Sequence, residues 1–195
     1  MKKIIALILA LTCMLALASC DGVGGDHEAL EPYKAAVDAT QPARATVNIT
    51  YTDMVLNVTL DGNYLVVYNE DGTATVSYSY EKVNGVDSDS EEMISTVNGV
   101  VTVKADGTVD GDVDAKVTAA AAVKINLDPA KMNYTVARGI LTAGIKAADV
   151  KAVLGVDLGA DVSMTMTVSD AGKIGSVSYS YVTGNGTASV VCFYE

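Results

Sequence analysis

The chain has 195 residues, a formal net charge of −11 and three cysteines, and half of its residues are hydrophobic. Such an acidic chain repels nucleic acid and anionic lipid headgroups, so the composition excludes a nucleic-acid-binding protein. Valine, threonine, serine, tyrosine and glycine are frequent after residue 20, which favours strands and turns over helices.

The first twenty residues have the pattern of a secretory signal. Two lysines precede an apolar run, residues 4–17, that is shorter than the ~20 residues a membrane-spanning helix needs. The run ends in Leu17-Ala18-Ser19-Cys20, which resembles a bacterial lipobox. This resemblance implies that Cys20 receives a diacylglycerol thioether and becomes the mature N-terminus. The alternative is an ordinary signal peptide with a chance cysteine.

Removal of residues 1–19 would leave 176 residues with a formal net charge of −13. We expect residues 20–27 to form a lipidated, flexible tether and residues 28–195 to form one domain. The acyl chains would attach this domain to the membrane of the cell envelope, facing outside the cytoplasm, because the acidic polypeptide itself is repelled. Only Cys192 would remain as a thiol in the domain, where a Val-Val-Cys-Phe run predicts a small buried hydrophobe.

Apolar periodicity predicts a mainly β domain with two short helices. One helix starts near Pro32, and the other runs from Val150 to Leu154, capped by Asp149 and ended by Gly155. The predicted strands are residues 45–52, 54–60, 64–68, 73–80, 96–104, 113–127, 132–136, 140–146, 162–168, 174–182 and 187–194. Turns are predicted at residues 61–63, 69–72, 138–139, 170–172 and 184–186.

The least clear segment is residues 113–127. Valine and alanine alternate there with a period of two, which favours a strand, but the four alanines at 119–122 also suit a helix. The fold we predict is a single curved antiparallel sheet, an open half-barrel meander of the α+β class. One face is covered by the N-terminal helix and the short helix near residue 150. Because two helices cannot cover so long a sheet, either the sheet curls on itself or part of its inner face stays open.

The same five residues, Val-Ser-Tyr-Ser-Tyr, occur at 76–80 and at 177–181. Duplication of a hairpin would produce this repeat, and so would plain β composition.

Catalytic and metal-binding patterns are lacking in this sequence. His27 is the only histidine and lies at the tether, which excludes a Ser-His-Asp or Cys-His device within the domain. A zinc site lacks its usual ligands there. The aspartates at 106, 110, 112 and 114 lack the ligand order of an EF-hand, so they indicate a solvated turn. We therefore expect no enzymatic activity, no catalytic residue, no metal and no cofactor.

The residues predicted to face inwards are rich in methionine and tyrosine, which suit a pocket for a variable apolar ligand. The alternative is that these residues only fill the hydrophobic core beneath the two helices. The candidate ligand-lining residues are Met54, Leu56, Tyr78, Tyr80, Met132, Tyr134, Met164, Met166, Tyr179 and Tyr181.

Residues 162–174 form a strand, an Asp/Gly turn and the start of a return strand rich in serine and tyrosine. Together with the lipobox and the order of elements, this hairpin resembles bacterial envelope lipoproteins related to the carriers LolA and LolB and to the mycobacterial LppX/LprG type. The resemblance implies a curved sheet closed on one side by helices, with a concave face that takes acyl chains. The chain departs from that pattern because it lacks tryptophan and has few large inward residues between 113 and 123.

The leading hypothesis is a non-enzymatic, membrane-anchored lipoprotein that binds a lipid or another hydrophobic ligand on the concave face. The alternative is a surface interaction or structural module with a filled core and no small-molecule ligand. A hydrolase is the third and weakest hypothesis.

Overall fold

The computed structural model describes residues 26–40, 42–53, 58–84, 94–109 and 115–195. The helices in these ranges are α1 (His27–Ala39), α2 (Ala115–Ala120) and α3 (Ala147–Leu154). The strands are β1 (Arg44–Asp53), β2 (Val58–Tyr68), β3 (Ala74–Asn84), β4 (Ile94–Val103), β5 (Asn133–Ala137), β6 (Ile140–Ile145), β7 (Val162–Val168), β8 (Ile174–Thr183) and β9 (Gly186–Tyr194).

All nine strands belong to one antiparallel sheet with the order β4-β3-β2-β1-β9-β8-β7-β6-β5. Two meanders, β1 to β4 and β5 to β9, are joined where the first and last strands pair. The sheet is not closed, since β4 and β5 lie at its two edges. The predicted fold class, a single curved and open antiparallel sheet with few helices, is confirmed.

One face of the sheet carries the core. The register places Val47 between Tyr64 on β2 and Cys192 on β9, and all three side chains are buried. Serines, threonines and charged residues alternate with such residues on the other face, which is the period-two pattern of a sheet with one wet side. Burial of each large apolar side chain on the inner face stabilises the fold by about 1.5–3 kcal/mol.

Helix α1 covers the sheet near β7 and β8 through Leu30, Tyr33 and Ala36, which are all buried. It begins at His27, about five residues before the predicted start near Pro32, because Asp26 supplies the N-cap and accepts from the Glu28 amide at 3.0 Å. Pro32 lies inside the helix and cannot donate a backbone hydrogen bond there. The buried face, rather than the proline, therefore sets where this helix lies.

The prediction of a strand over residues 113–127 is wrong for the part that the structure describes. Residues 115–120 form α2, residues 121–123 form turns, and residues 124–127 are irregular. We call residues 115–127 the alanine strap. Residues 119–123, four alanines and a valine, are all buried, so the period-two spacing drawn through them does not mark one inner and one outer face. Alanine has the highest intrinsic helix propensity, which favours the helix up to Ala120, although Ala121 and Ala122 lie in the turn that follows.

The predicted turn at residues 61–63 is also wrong, because β2 runs straight through it. Gly62 pairs with Ile49 on one side and with Tyr80 on the other. A Cβ atom at Gly62 would lie 2.8 Å from atoms of Tyr64 and Tyr80. Glycine is present at this position because tyrosine side chains occupy the space, not because the chain turns.

Helix α3 begins at Ala147, three residues before the predicted start, and ends at Gly155 in the left-handed conformation with φ of 84°, as predicted. Asp149 lies in the first turn rather than at the cap. Asp161 accepts from the Ala147 amide at 2.8 Å and thus satisfies one of the free donors at the start of the helix. The helices in the described part of the chain include none that is both long and apolar enough to cross a membrane.

Candidate functional site

The alanine strap crosses the inner face of the sheet, where the sequence predicted a concavity. The hydroxyl of Tyr179 on β8 donates to the carbonyl of Ala119, and the hydroxyl of Tyr194 on β9 donates to the carbonyl of Val123 at 3.0 Å. Small alanine side chains let the strap lie close to the strands. Over the centre of the sheet, the inner face is therefore filled by the protein's own backbone.

The strap is also held from its other side. The Asn126 amide donates to the carbonyl of Val153 in α3 at 2.8 Å. The ammonium of Lys124 donates to the carbonyl of Gly72, in the turn between β2 and β3, at 2.7 Å. These two contacts join the strap to α3 and to the turn between β2 and β3, which fixes it as part of the fold.

The structure separates the ten predicted ligand-lining residues into three groups. Met54 and Leu56 lie outside the described residues, as does the predicted lipidation site Cys20. Six others are at most 5% exposed and pack into the core: Met132, Tyr134, Met164, Met166, Tyr179 and Tyr181. Tyr80 is 9% exposed, and Tyr78 is half-buried. A ligand-binding role for the set stays a prediction, and its one partly exposed member among the described residues, Tyr78, lies on β3.

Three tyrosine hydroxyls and the Cys192 thiol form a group of polar atoms that is shielded from water. Burial raises the pKa values of Tyr179, Tyr194 and Tyr68 above their usual range, and the nearby Cys192 thiol adds to each shift. Burial also raises the pKa of the Cys192 thiol. A thiol that stays protonated is a poor nucleophile, so Cys192 acts as the small buried hydrophobe that its sequence context predicts.

The inner face is most accessible along the edge strand β4. Val97, Gly99 and Val101 lie on this face and are each half-buried. Next to them on β2 and β3, Tyr64, Tyr78 and Tyr80 form a row that we call the tyrosine shelf. The ring centroids of Tyr64 and Tyr78 are 6.3 Å apart, and those of Tyr78 and Tyr80 are 6.0 Å apart, with interplanar angles of 28° and 19°.

Two glycines let these rings lie flat against the sheet. A Cβ atom at Gly99 would lie 2.3 Å from the hydroxyl oxygen of Tyr78, and one at Gly62 would touch Tyr64 and Tyr80. Sequence reasoning missed this role for both glycines. The available signal was a glycine inside an alternating strand pattern, which marks a close approach.

The repeated Val-Ser-Tyr-Ser-Tyr string produces the same local feature twice. Tyr78 and Tyr80 stack on β3, and Tyr179 and Tyr181 stack on β8 with centroids 6.5 Å apart. The β8 pair is buried, and its Tyr179 donates to the strap, whereas Tyr78 of the β3 pair is only half-buried. The strap thus gives two identical strings different surroundings.

Within the described ranges, no group of three or more histidine, cysteine or acidic side chains is close enough to hold a metal ion. Asp106, the described member of the predicted acidic turn, accepts from the amide and the hydroxyl of Thr108 at 2.9 and 2.6 Å. These bonds make its carboxylate a turn-forming group. Aspartates 110, 112 and 114 and the acidic segment 86–92 lie outside the described residues.

The chain matches no protein-family model, and no curated protein matches its sequence. Among solved structures it is similar to LprF from Mycobacterium bovis. The likeness covers 87% of this chain and 93% of that chain, at 12% sequence identity and a TM-score of 0.44. A likeness this loose carries no ligand or activity across, so the site's function has to follow from the geometry of this chain.

Proposed function

We propose that the chain is a lipid-anchored protein of a bacterial cell envelope that binds a hydrophobic ligand on the inner face of β3 and β4. The observation that carries the ligand proposal is the half-buried row Val97, Gly99 and Val101 beside the tyrosine shelf. The inner side chains of the central strands β1 and β9 are largely buried, so this row is an accessible continuation of the core face.

The chemistry of this surface suits an acyl chain or another flat apolar group. Tyrosine presents an apolar ring with a polar tip, and stacked rings form a surface with little conformational freedom to lose on binding. Tyr64, which is 1% exposed, packs beside the half-buried ring of Tyr78 across the pair of β2 and β3, with ring centroids 6.3 Å apart. Compared with the prediction from sequence, the proposed site moves away from the methionines on β7 and towards the edge strand β4.

The ligand proposal is tested by native mass spectrometry of the full chain extracted from its own membrane. We expect a copurifying apolar molecule in the wild type, and loss of that molecule in the Val101→Asp variant. The Val100→Asp variant is the matched control, because Val100 is the next residue on the same strand and is 66% exposed on the opposite face. Absence of any ligand from the wild type, or equal loss in both variants, would contradict the proposal.

The anchor is tested separately. We expect the Cys20→Ser variant to lose incorporation of labelled fatty acid and to keep its signal segment, since the thioether that precedes cleavage cannot form. The Cys13→Ser variant should be labelled and processed like the wild type, because this cysteine lies inside the predicted signal. Equal labelling of the Cys20→Ser variant and the wild type would show that Cys20 is not the site of lipidation.

A second candidate function, a surface interaction module, is favoured by a row on the outer face. Leu65 and Phe193 are 40% and 45% exposed, and both pair with Thr46 on β1, so they flank one position of the sheet. Recovery of one stoichiometric protein partner by the wild type, and its loss from the Phe193→Ser variant, would favour this function over ligand binding.

A further inference from the structure

Nine neighbouring positions form a patch on the inner face of the sheet near the edge strand β4. They are Val66, Tyr64 and Gly62 on β2, Val76, Tyr78 and Tyr80 on β3, and Val101, Gly99 and Val97 on β4. Tyr64 and Tyr80 are at most 9% exposed, whereas Tyr78 is only half-buried, so its hydroxyl is the accessible one of the three. We propose that the Tyr78 hydroxyl donates to the carbonyl of a neutral lipid, such as an acyl ester, whose two apolar chains lie along β4. This inference rests on the proposed apolar site and specifies its ligand.

The Tyr78 hydroxyl lies over the middle of the edge strand. Tyr78 pairs with Gly99, and a Cβ atom at Gly99 would lie 2.3 Å from the hydroxyl oxygen. Glycine at this position therefore leaves the space that the end of the ring fills. Val97 and Val101 are each two residues from Gly99 on the same face, which corresponds to about 7 Å in each direction along the strand. A polar atom thus lies between two apolar side chains on the accessible row.

This hydroxyl has a hydrogen bond to offer. In the described part of the chain, Tyr78 stacks with Tyr64 and Tyr80, and its hydroxyl has no hydrogen-bond partner. A plain hydrocarbon that covered Tyr78 would exclude water from the hydroxyl and leave the donor unsatisfied, which lowers the affinity by about tenfold. A carbonyl oxygen at the same position accepts the hydrogen bond instead. The site therefore distinguishes a lipid with a carbonyl from a hydrocarbon of the same size.

Charge favours a neutral carbonyl over a carboxylate or a phosphate. The nine positions of the patch carry no charged side chain, and the chain as a whole has a net charge of −11. Lys82 on β3 is four residues from Tyr78, which corresponds to about 13 Å along the strand. An anion at the Tyr78 hydroxyl would lose its water without a cation within the patch to compensate. The patch thus suits the uncharged middle of a lipid, where an ester carbonyl joins two apolar chains.

Equilibrium dialysis of radiolabelled probes against the purified full chain, at a fixed concentration of nonionic detergent, tests the inference. Hexyl heptanoate has an ester carbonyl between two hexyl chains, and tetradecane is the hydrocarbon of the same chain length. We expect the Tyr78→Phe variant to bind hexyl heptanoate about tenfold more weakly than the wild type and to bind tetradecane at least as tightly. Detergent takes up each probe equally in both experiments, so its effect cancels from the ratio of the two affinities.

Two further variants separate the hydroxyl from other effects of substitution. Tyr68→Phe is the matched control, because it removes a buried hydroxyl on β2 outside the patch and should leave the affinity for both probes unchanged. Gly99→Ala keeps the hydroxyl but displaces it, since the new Cβ atom would meet the flexible end of the Tyr78 side chain. We therefore expect Gly99→Ala to weaken binding of hexyl heptanoate in the same direction as Tyr78→Phe.

The outcomes distinguish this inference from the proposed function. Saturable binding of both probes to the wild type, with equal changes for both in the Tyr78→Phe variant, would overturn the carbonyl inference and leave the apolar site intact. Absence of saturable binding of either probe to the wild type would overturn the site together with its ligand. A wild-type dimer that the Tyr78→Phe variant loses, with unchanged binding of hexyl heptanoate, would assign the patch to a second copy of the chain and would also overturn the inference.

Discussion

Replacement of the tyrosines beneath the alanine strap by phenylalanine should change stability in an order that the hydrogen bonds set. Each substitution removes one hydroxyl oxygen and leaves the ring in place. The Tyr194 hydroxyl donates to the carbonyl of Val123, to which the described residues provide no second donor. The Tyr179 hydroxyl donates to the carbonyl of Ala119, which also accepts from the Ala122 amide at 3.1 Å. The hydroxyl of Tyr68 is buried without a hydrogen-bond partner in the described part of the chain.

The hydrogen-bond partners of each hydroxyl determine how much each substitution should change the free energy of unfolding. Tyr194→Phe leaves a buried carbonyl without its donor, which costs about 1–3 kcal/mol. Tyr179→Phe removes one hydrogen bond but leaves the carbonyl a partner, so the expected loss is about 0.5–1.5 kcal/mol. Tyr68→Phe removes a desolvated polar group and should leave stability unchanged or raise it by up to about 1 kcal/mol. The expected order is therefore unlike the order of burial, since Tyr179 is the most buried of the three.

Equilibrium unfolding in urea at neutral pH measures the three free energies, and the rate at which Cys192 reacts with a thiol reagent reports on the strap independently. Cys192 is fully buried, so its reaction requires opening of the structure above it. We expect faster reaction in the Tyr194→Phe and Tyr179→Phe variants and no acceleration in the Tyr68→Phe variant. Equal destabilisation by Tyr68→Phe and Tyr194→Phe would refute the reasoning, because the loss would then come from ring packing and not from the strap's hydrogen bonds.

Two further predictions concern the ends of α3. Gly107→Ala should lower the free energy of unfolding by more than about 2 kcal/mol, because the new Cβ atom would lie 2.3 Å from the Gly155 carbonyl oxygen. Gly139 has a similar φ of 74° but open space around it, so Gly139→Ala should lower the free energy of unfolding by only about 1–2 kcal/mol. Unfolding in urea measures both values. The hydrogen bond from Lys146 and, to a smaller extent, that from the Ala147 amide lower the pKa of the Asp161 carboxyl. The ionised carboxylate therefore stabilises the fold above the pKa that Asp161 has in the unfolded chain, and this stabilisation is lost as the pH falls through the lower pKa of the folded state. Thermal unfolding should thus find the Asp161→Asn variant less stable than the wild type at about pH 6 and equal to it near pH 2; a difference that persists at low pH would assign the effect to something other than ionisation.

The period-two alternation predicted the sheet well because almost every strand has one buried and one wet face. Pairs such as Met164 and Tyr179 were placed on one face from spacing alone, and the register confirms it. The predicted hairpin turn at Arg138 and Gly139 is also present, and both residues take positive φ there. Glycine between two alternating segments is the local signal for such a turn. In these places local sequence and global fold specify the same structure.

The errors occur where a residue's role is set by a distant neighbour. An Asp-Gly-Asn string has the composition of a turn, and nothing local shows that tyrosines from β2 and β3 occupy the space beside Gly62. Residues 119–123 of the strap are buried without interruption, so the spacing of apolar residues there carries no information about helix or strand.

The alanine strap explains why one sheet can hold both a solid core and an accessible apolar surface. Its α2 helix contacts β1, β2, β3 and β9, and the tyrosine hydroxyls of β8 and β9 hold the segment that follows. The half-buried row on β4 lies beyond these strands, at the edge of the sheet. Larger side chains in the strap would lift it from the strands and lose the bonds to Ala119 and Val123. The composition of this segment thus determines which part of the inner face is core and which part can meet a ligand.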